Sequence, residues 1–176
     1  LVPKKGVDVL LHAMVLLRKR VPEVRLIVAG DGPERIGLER LAAGLGIRDA
    51  VAFLGHLAQE QAEHALGAAW VQAVPSRWEE PFGLVAAEAM MRGTAVVASE
   101  SGGLAEQVEP GATGYLAPAG DAGALARALE QVVRDRDLAE RMGASARVRA
   151  LAELTIDRHV DRVVAAHVAC RRGGRR

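Results

Sequence analysis

Cysteine and aromatic residues are scarce in this sequence of 176 residues. The single cysteine, Cys170, excludes an internal disulfide framework and a zinc site built from several cysteines. The five histidines are scattered along the chain, and we predict no metal site. Aromatic residues make up only 3% of the chain, so its core has to be built from Ala, Val and Leu.

An excess of charge and a long apolar run are also lacking. The 23 Lys and Arg residues nearly balance 22 Asp and Glu residues, which gives no electrostatic argument for binding nucleic acid. No stretch approaches the roughly 20 apolar residues of a membrane-spanning helix, and the first residues do not have the pattern of a signal peptide. Half of the residues are hydrophobic and 26% are charged, which is typical of a folded chain. These features predict one cytoplasmic globular domain, residues 1–176.

Helical and strand-like patterns alternate along most of the chain. Apolar residues recur at helical spacing in the ranges 6–19, 34–45, 59–68 and 82–92. Short runs rich in Val and Ala predict strands at 24–29, 51–54, 71–74, 95–98 and 114–116, the last at an edge. From Asp121 onward the pattern is helical, with starts predicted near Asp121, Asp137 and Thr155. The alternation predicts an α/β fold, in which helices flank a Rossmann-like parallel sheet and form a C-terminal extension.

The segment from Pro75 to Met91 carries the most specific chemical signal. Glu80 lies in a predicted loop, Gly83 stands at the start of the next helix, and Glu88 lies further along that helix. The first turn of a helix offers unpaired N–H groups and a positive dipole end, which suits a phosphate. We expect Gly83 to leave room for a ligand to approach these amides closely.

Glu88 has unusual neighbours for a charged residue. On a helix it lies beside Leu84, Val85 and Met91, so its carboxylate is predicted to project from an apolar stripe, where it needs hydrogen bonds. A ribose diol would supply two O–H donors. The alternative is an ordinary surface pair with Arg92, one helical turn further along.

The run Glu80-Pro81-Phe82-Gly83-Leu84-Val85-Ala86-Ala87-Glu88 resembles the Glu-x7-Glu signature of the family 4 retaining glycosyltransferases, which have the GT-B fold. Flanking motifs agree in order and spacing: Lys5-Gly6, Gly30-Asp31-Gly32-Pro33, Phe53-Leu54-Gly55, Val74-Pro75-Ser76 and Gly102-Gly103. The resemblance covers essentially the whole chain. It implies the C-terminal, donor-binding domain of such an enzyme.

The resemblance also implies a role for each matching residue. Glu80 is the implied catalytic residue, which holds a sugar hydroxyl and steadies an oxocarbenium-like centre. Lys5 is implied to contact the donor diphosphate, beside Gly6, and Glu88 to accept hydrogen bonds from the ribose. The backbone amides implied to face the phosphate and the sugar are those of Phe82, Gly83 and Leu84.

The implied reaction transfers a sugar from a nucleotide diphosphosugar with retention of configuration. The lysine and the helix dipole would stabilise the charge on the leaving diphosphate. The resemblance implies neither a bound metal nor a cofactor.

The GT-B fold has two Rossmann-like domains, and this sequence resembles one of them. We expect the acceptor, whether a sugar, a lipid or a small molecule, to be bound by an N-terminal domain that is absent here. Any peripheral membrane contact would belong to the full enzyme.

In the strand order 3-2-1-4-5-6, the first and central strand would precede Leu1, which predicts a gap between the strands at 24–29 and 71–74. We hypothesise that the chain is a fragment or is completed by another chain, and that it is inactive as a transferase by itself.

Two other interpretations stay open. One is an enzyme similar to a non-hydrolysing nucleotide-sugar epimerase, which the spacing of Glu80, Gly83 and Glu88 disfavours. The other is a non-catalytic nucleotide-sugar-binding partner of a separate acceptor-binding chain. Glu80 discriminates here, because binding alone needs Glu88 and Lys5 but no carboxylate at the sugar.

Overall fold

Strands and helices alternate in the computed structural model, which describes residues 1–173. The helices are α1 (Val7–Arg18), α2 (Arg35–Gly44), α3 (Gln59–Leu66), α4 (Leu84–Arg92), α5 (Gly103–Gln107), α6 (Ala122–Val133), α7 (Arg136–Glu153) and α8 (Ile156–Gly173). The strands are β1 (Leu26–Ala29), β2 (Val51–Gly55), β3 (Val71–Val74), β4 (Ala95–Ser99) and β5 (Gly114–Ala117). Short 3-10 turns, Pro3–Lys5 and Arg48–Ala50, precede α1 and β2. The predicted α/β class with a helical C-terminal extension is confirmed.

Two element boundaries differ from the sequence prediction for local reasons. β1 starts at Leu26 rather than at residue 24, because the Val24 N–H is used in a turn and donates to the Val21 carbonyl. α7 starts before Asp137, since the carboxylate of Asp135 accepts the N–H of Leu138 at 2.9 Å and caps the helix.

The strands form two parallel sheets rather than one. β1 pairs with β2, with Leu26 opposite Val51. In the other sheet β4 lies between β3 and β5, so β5 is an edge strand as predicted. Within residues 1–173, no ladder joins β1 to β3, and the predicted gap between these strands is present.

An apolar cavity of about 410 Å³ occupies this gap. Leu26 of β1 and Val71 of β3 line it from opposite sides, and Leu10 and Met14 of α1 also contribute to its wall. The facing edges of β1 and β3 therefore carry backbone N–H and C=O groups that no neighbouring strand pairs. The absent central strand stays a hypothesis.

The core is made of small aliphatic residues, as the shortage of aromatics requires. All five residues of β4 are buried, because the strand has neighbours on both edges and helices on its faces. The carboxyl ends of β3 and β4 lie at the same edge of their sheet, since the two strands are parallel. This brings the loop after β3 next to the loop after β4.

The C-terminal helix α8 is exposed through residue 171. Among the helices of residues 1–173, none combines the length and the apolar character needed to cross a membrane.

Candidate active site

The segment 75–83, called here the β3–α4 loop, is held on one side by the loop after β4. The N–H of Gly103 donates to the Glu80 carbonyl at 2.7 Å, and the Ser101 hydroxyl donates to the Trp78 carbonyl at 3.0 Å. A Cβ atom on Gly103 would lie 2.7 Å from the Phe82 carbonyl oxygen. A glycine at position 103 therefore allows the two segments to approach this closely.

The N-terminal turn holds the same loop on its other side. The N–H of Arg77 donates to the Lys4 carbonyl at 2.8 Å, and the Lys4 ammonium lies 3.9 Å from the centre of the Trp78 ring. A Cβ atom on Gly6 would lie 2.0 Å from the Pro75 carbonyl oxygen. The close approach at Gly6 is thus made by the chain's own backbone.

Between these two contacts lies Glu80, a buried carboxylate with 6% of its surface exposed. The Lys5 ammonium donates to its Oε1 atom at 2.5 Å, and the Ser76 hydroxyl donates to the same oxygen at 2.7 Å. Ser76 is only 1% exposed. Across the part of the chain that the structure describes, Oε2 accepts no hydrogen bond, nor is it among the fully buried atoms that lack a partner. Oε2 therefore reaches solvent.

The environment of Glu80 lowers its pKa. Burial alone raises the pKa, but hydrogen bonds from Lys5 and Ser76, the nearby Trp78 indole and the charge of Lys5 together outweigh it. Glu80 is therefore a carboxylate at neutral pH. An ionised carboxylate with one oxygen fixed by the protein can accept a hydrogen bond from a ligand hydroxyl through the other.

The backbone at the start of α4 presents amides without acceptors. Gly83 adopts a left-handed conformation with φ of +84°, and its carbonyl accepts the N–H groups of Ala86 and Ala87. The Gln107 side-chain amide donates to the Phe82 carbonyl, and because the peptide is trans, the N–H of Gly83 points the opposite way, away from Gln107.

No acceptor within residues 1–173 takes up the N–H groups of Phe82, Gly83 or Leu84. These three residues are the ones whose backbone amides the family resemblance implies as donors to the phosphate and the sugar. The space beside the Gly83 Cα atom is taken by Leu104, since a Cβ atom there would lie 2.7 Å from Leu104 Cδ2. On that side of Gly83 the space is therefore occupied by a side chain of the protein.

Glu88 lies on the exposed surface of α4. Its neighbours Leu84 and Val85 are 66% and 44% exposed, so the predicted apolar stripe exists but faces solvent. The expected desolvation of Glu88 is therefore wrong for this structure. The alternative, a surface pair with Arg92, is not formed, and Arg92 donates instead to the Gln72 side chain at 3.3 Å. Within residues 1–173 the Glu88 carboxylate has no hydrogen bond or ion pair.

Sequence reasoning missed Ser76 and Gln107 as partners of the loop. Ser76 belongs to the motif Val74-Pro75-Ser76, but its hydroxyl contact with Glu80 depends on the path of the β3–α4 loop between the two residues. Gln107 gave no signal, because its contact with Phe82 joins helix α5 to a loop that is distant in sequence. In the same range of 1–173, no three His, Cys, Asp or Glu side chains are grouped to hold a metal ion.

Residues 1–149 match the family model described as glycosyl transferases group 1. The chain belongs to this family. The matched range contains every residue assigned to the site, from Lys5 to Glu88, and ends before α8.

Curated relatives of this group 1 chain are enzymes of inositol and mannose chemistry. It is 43% identical over 155 residues to the D-inositol 3-phosphate glycosyltransferase of Streptomyces scabiei, covering 82% of this chain and 34% of that protein. It is 37% identical to the GDP-mannose-dependent alpha-(1-6)-phosphatidylinositol monomannoside mannosyltransferase of Mycobacterium tuberculosis, covering 84% of this chain and 40% of the relative. The chain thus spans between about a third and two fifths of the length of these relatives.

Solved glycosyltransferase structures share the fold. Anabaena HepE, crystallised with UDP and glucose, has a TM-score of 0.83 and 29% identity, with 94% of this chain and 46% of HepE covered. Sucrose-phosphate synthase from Thermosynechococcus elongatus has a TM-score of 0.83 and 34% identity, with 96% of this chain and 44% of that chain covered.

Proposed function

We propose that this group 1 glycosyltransferase chain binds a nucleotide diphosphosugar at the start of α4, for transfer with retention of configuration. The observation that carries the proposal is the combination found there. Within residues 1–173, three backbone amides lack acceptors, a buried carboxylate has one oxygen fixed, and an exposed carboxylate has no partner. HepE, which shares this fold, was solved with UDP and glucose.

Each end of such a donor has a matching group. The free amides of Phe82, Gly83 and Leu84 and the dipole of α4 suit the diphosphate. Lys5 adds a positive charge, and its side chain keeps 41% of its surface exposed although it contacts Glu80. Glu88 suits the ribose, because a carboxylate without protein partners can accept two hydroxyl hydrogen bonds.

Glu80 suits the sugar and is proposed as the catalytic residue. Its free oxygen, Oε2, accepts a sugar hydroxyl, and its negative charge stabilises the oxocarbenium-like centre as the bond to the diphosphate breaks. Lys5 and the amides stabilise the charge on the departing diphosphate, and being already in place they need no reorganisation. We assign no enzyme nucleophile, metal or cofactor to the reaction.

The acceptor is proposed to bind outside this chain. The match covers only 34% and 40% of the inositol and mannose enzymes, so the acceptors of those enzymes are not carried over to this chain. A sugar, a lipid or a small molecule bound by a second domain fits the proposal, and location in the cytoplasm stays a prediction.

The experiment that tests donor binding is calorimetry on the chain with UDP, GDP and ADP and their sugars. Replacing Glu88 by Ala removes the charged acceptor for the ribose, so we expect the affinity for the preferred nucleotide to fall by about tenfold or more. Glu140→Ala is the matched control, since it removes an exposed glutamate from α7.

Equal nucleotide affinity of Glu88→Ala and the unchanged chain would refute the ribose role. The non-catalytic interpretation is tested at Glu80, where Ala substitution is expected to abolish most of the turnover of a completed enzyme while leaving nucleotide affinity nearly unchanged. Undiminished turnover of that variant would refute the catalytic role of Glu80.

A further inference from the structure

We propose that Ser76 is a positioning residue for Glu80: its buried hydroxyl fixes Oε1, so that Oε2 stays turned toward the donor sugar. This inference rests on the proposed function of the site. It adds to the site a residue that supports the Glu80 carboxylate without touching the nucleotide sugar.

The geometry separates Ser76 from Lys5, although both donate to the same oxygen. Ser76 is 1% exposed and belongs to the same loop as Glu80, so its hydrogen bond of 2.7 Å is shielded from water and from ligand. The Lys5 side chain is 41% exposed. The exposed Lys5 ammonium can turn toward a bound diphosphate, whereas the buried Ser76 hydroxyl cannot move away from Glu80.

Donor binding would therefore change the two contacts differently. If the Lys5 ammonium also hydrogen-bonds the diphosphate, its hydrogen bond to Glu80 weakens while the nucleotide sugar is bound. The Ser76 hydroxyl, at 2.7 Å, then remains beside the nearby Trp78 indole as the hydrogen bond that keeps Oε1 in place. Without it, the carboxylate can rotate and offer either oxygen to the sugar in more than one orientation.

The backbone supports this role for Ser76. The residue before it, Pro75, packs its carbonyl against Gly6, and the residue after it, Arg77, donates its N–H to Lys4. The Ser76 hydroxyl is therefore carried by backbone that is fixed on both sides. A fixed donor behind a substrate-facing carboxylate is the arrangement that holds a reactive group in one geometry.

The test compares the affinity of the chain for a nucleotide sugar with its affinity for the matching nucleoside diphosphate. The probes are UDP-glucose with UDP and GDP-mannose with GDP. In Ser76→Ala we expect the preference for the sugar form to fall by about three- to tenfold, with the affinity for the diphosphate unchanged. Ser76→Thr, which keeps a hydroxyl, is expected to restore the preference, and Ser76→Cys, which keeps the volume with a weak donor, to fall between.

A second readout is the titration of the Glu80 carboxyl, followed by NMR on carbon-13-labelled glutamate and assigned with Glu80→Gln. Loss of the Ser76 donor destabilises the ionised form, so the pKa of Glu80 is expected to rise in Ser76→Ala and to return in Ser76→Thr. Ser101→Ala is the matched control, because it removes a hydroxyl bond to the same loop, at Trp78, without touching Glu80.

The outcomes separate this inference from the function on which it rests. If Glu80→Gln lowers the preference for the sugar form and Ser76→Ala does not, the positioning role is wrong and the proposed site stands. If Glu80→Gln leaves the preference intact, the proposed contact with the sugar is wrong as well. An equal loss in Ser76→Ala and Ser101→Ala would mean that general loosening of the loop is responsible, which also overturns the positioning role.

Discussion

Glu80 and Glu88 belong to one sequence signature, yet the structure gives them opposite surroundings. Glu80 is buried in the β3–α4 loop, where two side chains donate to one of its oxygens. Glu88 lies exposed on α4 and has no partner within residues 1–173. The difference teaches that this site is only partly assembled by the protein itself. The carboxylate proposed for the sugar is oriented in advance, whereas the one proposed for the ribose is left for the ligand to engage.

The two surroundings also differ in what holds the backbone. The loop that carries Glu80 is fixed by contacts from the N-terminal turn and from the loop after β4. Glu88 needs no such support, because its position follows from the helix alone. Substitutions that act on packing and charge should therefore affect the Glu80 region strongly and the Glu88 region weakly.

The largest expected effect comes from Gly103→Ala, which would break the contact between the two loops. The added Cβ atom would lie 2.7 Å from a backbone oxygen that cannot turn away. We expect a loss of about 2–3 kcal/mol in the free energy of unfolding and a lower Tm in thermal denaturation.

Gly37→Ala is the matched control for this variant. It adds the same atom to a helical glycine with nothing within 4 Å, so we expect a gain of about 0.5–1 kcal/mol. Equal Tm values for the two variants would contradict the proposed role of the close approach at Gly103.

A smaller effect is expected from Lys5→Met, which leaves Glu80 buried beside Ser76 and the Trp78 indole but without a positive charge. We expect the free energy of unfolding, measured with denaturant at pH 7, to fall by about 1–2 kcal/mol, against no measurable change for Lys19→Met at an exposed position.

In the unchanged chain the pKa of Glu80 is lowered from 4.5, so its stabilising contribution is present above about pH 4.5 and is lost as the pH falls through the lowered value. The difference between Lys5→Met and the unchanged chain should therefore shrink from pH 7 toward pH 3. A difference that does not depend on pH would show that Lys5 stabilises the fold without acting through Glu80.

The smallest effect is expected from Glu88→Ala measured without ligand. Because no contact of the described chain is lost, its free energy of unfolding should stay within about 0.5 kcal/mol of the unchanged chain. Loss of more than 1 kcal/mol would show that Glu88 already has a structural role. The free energy of unfolding of Glu88→Ala should differ from that of the unchanged chain only when nucleotide is added.

The sequence predicted the elements well because they depend on local pattern, and the site residues it indicates stay predictions. Hydrophobic spacing places α4, and the Glu-x7-Glu spacing places Glu80 in a loop and Glu88 on a helix. Burial was harder to predict, because it depends on what packs against each face. The stripe around Glu88 faces solvent, and the space beside Gly83 is filled by Leu104, a residue of the short helix α5. The Ser76 contact likewise required the path of the loop.

The gap between β1 and β3 also determines how the two parts of the domain are coupled. In a continuous sheet, backbone hydrogen bonds pass directly from strand to strand. Here helix α1 packs against α2 on one side and α6 on the other, in a hydrophobic cluster that includes residues of both sheets. The part that contains β2 and the part that contains Glu80 are therefore joined by side-chain packing instead of a strand ladder, and such packing has little directional preference.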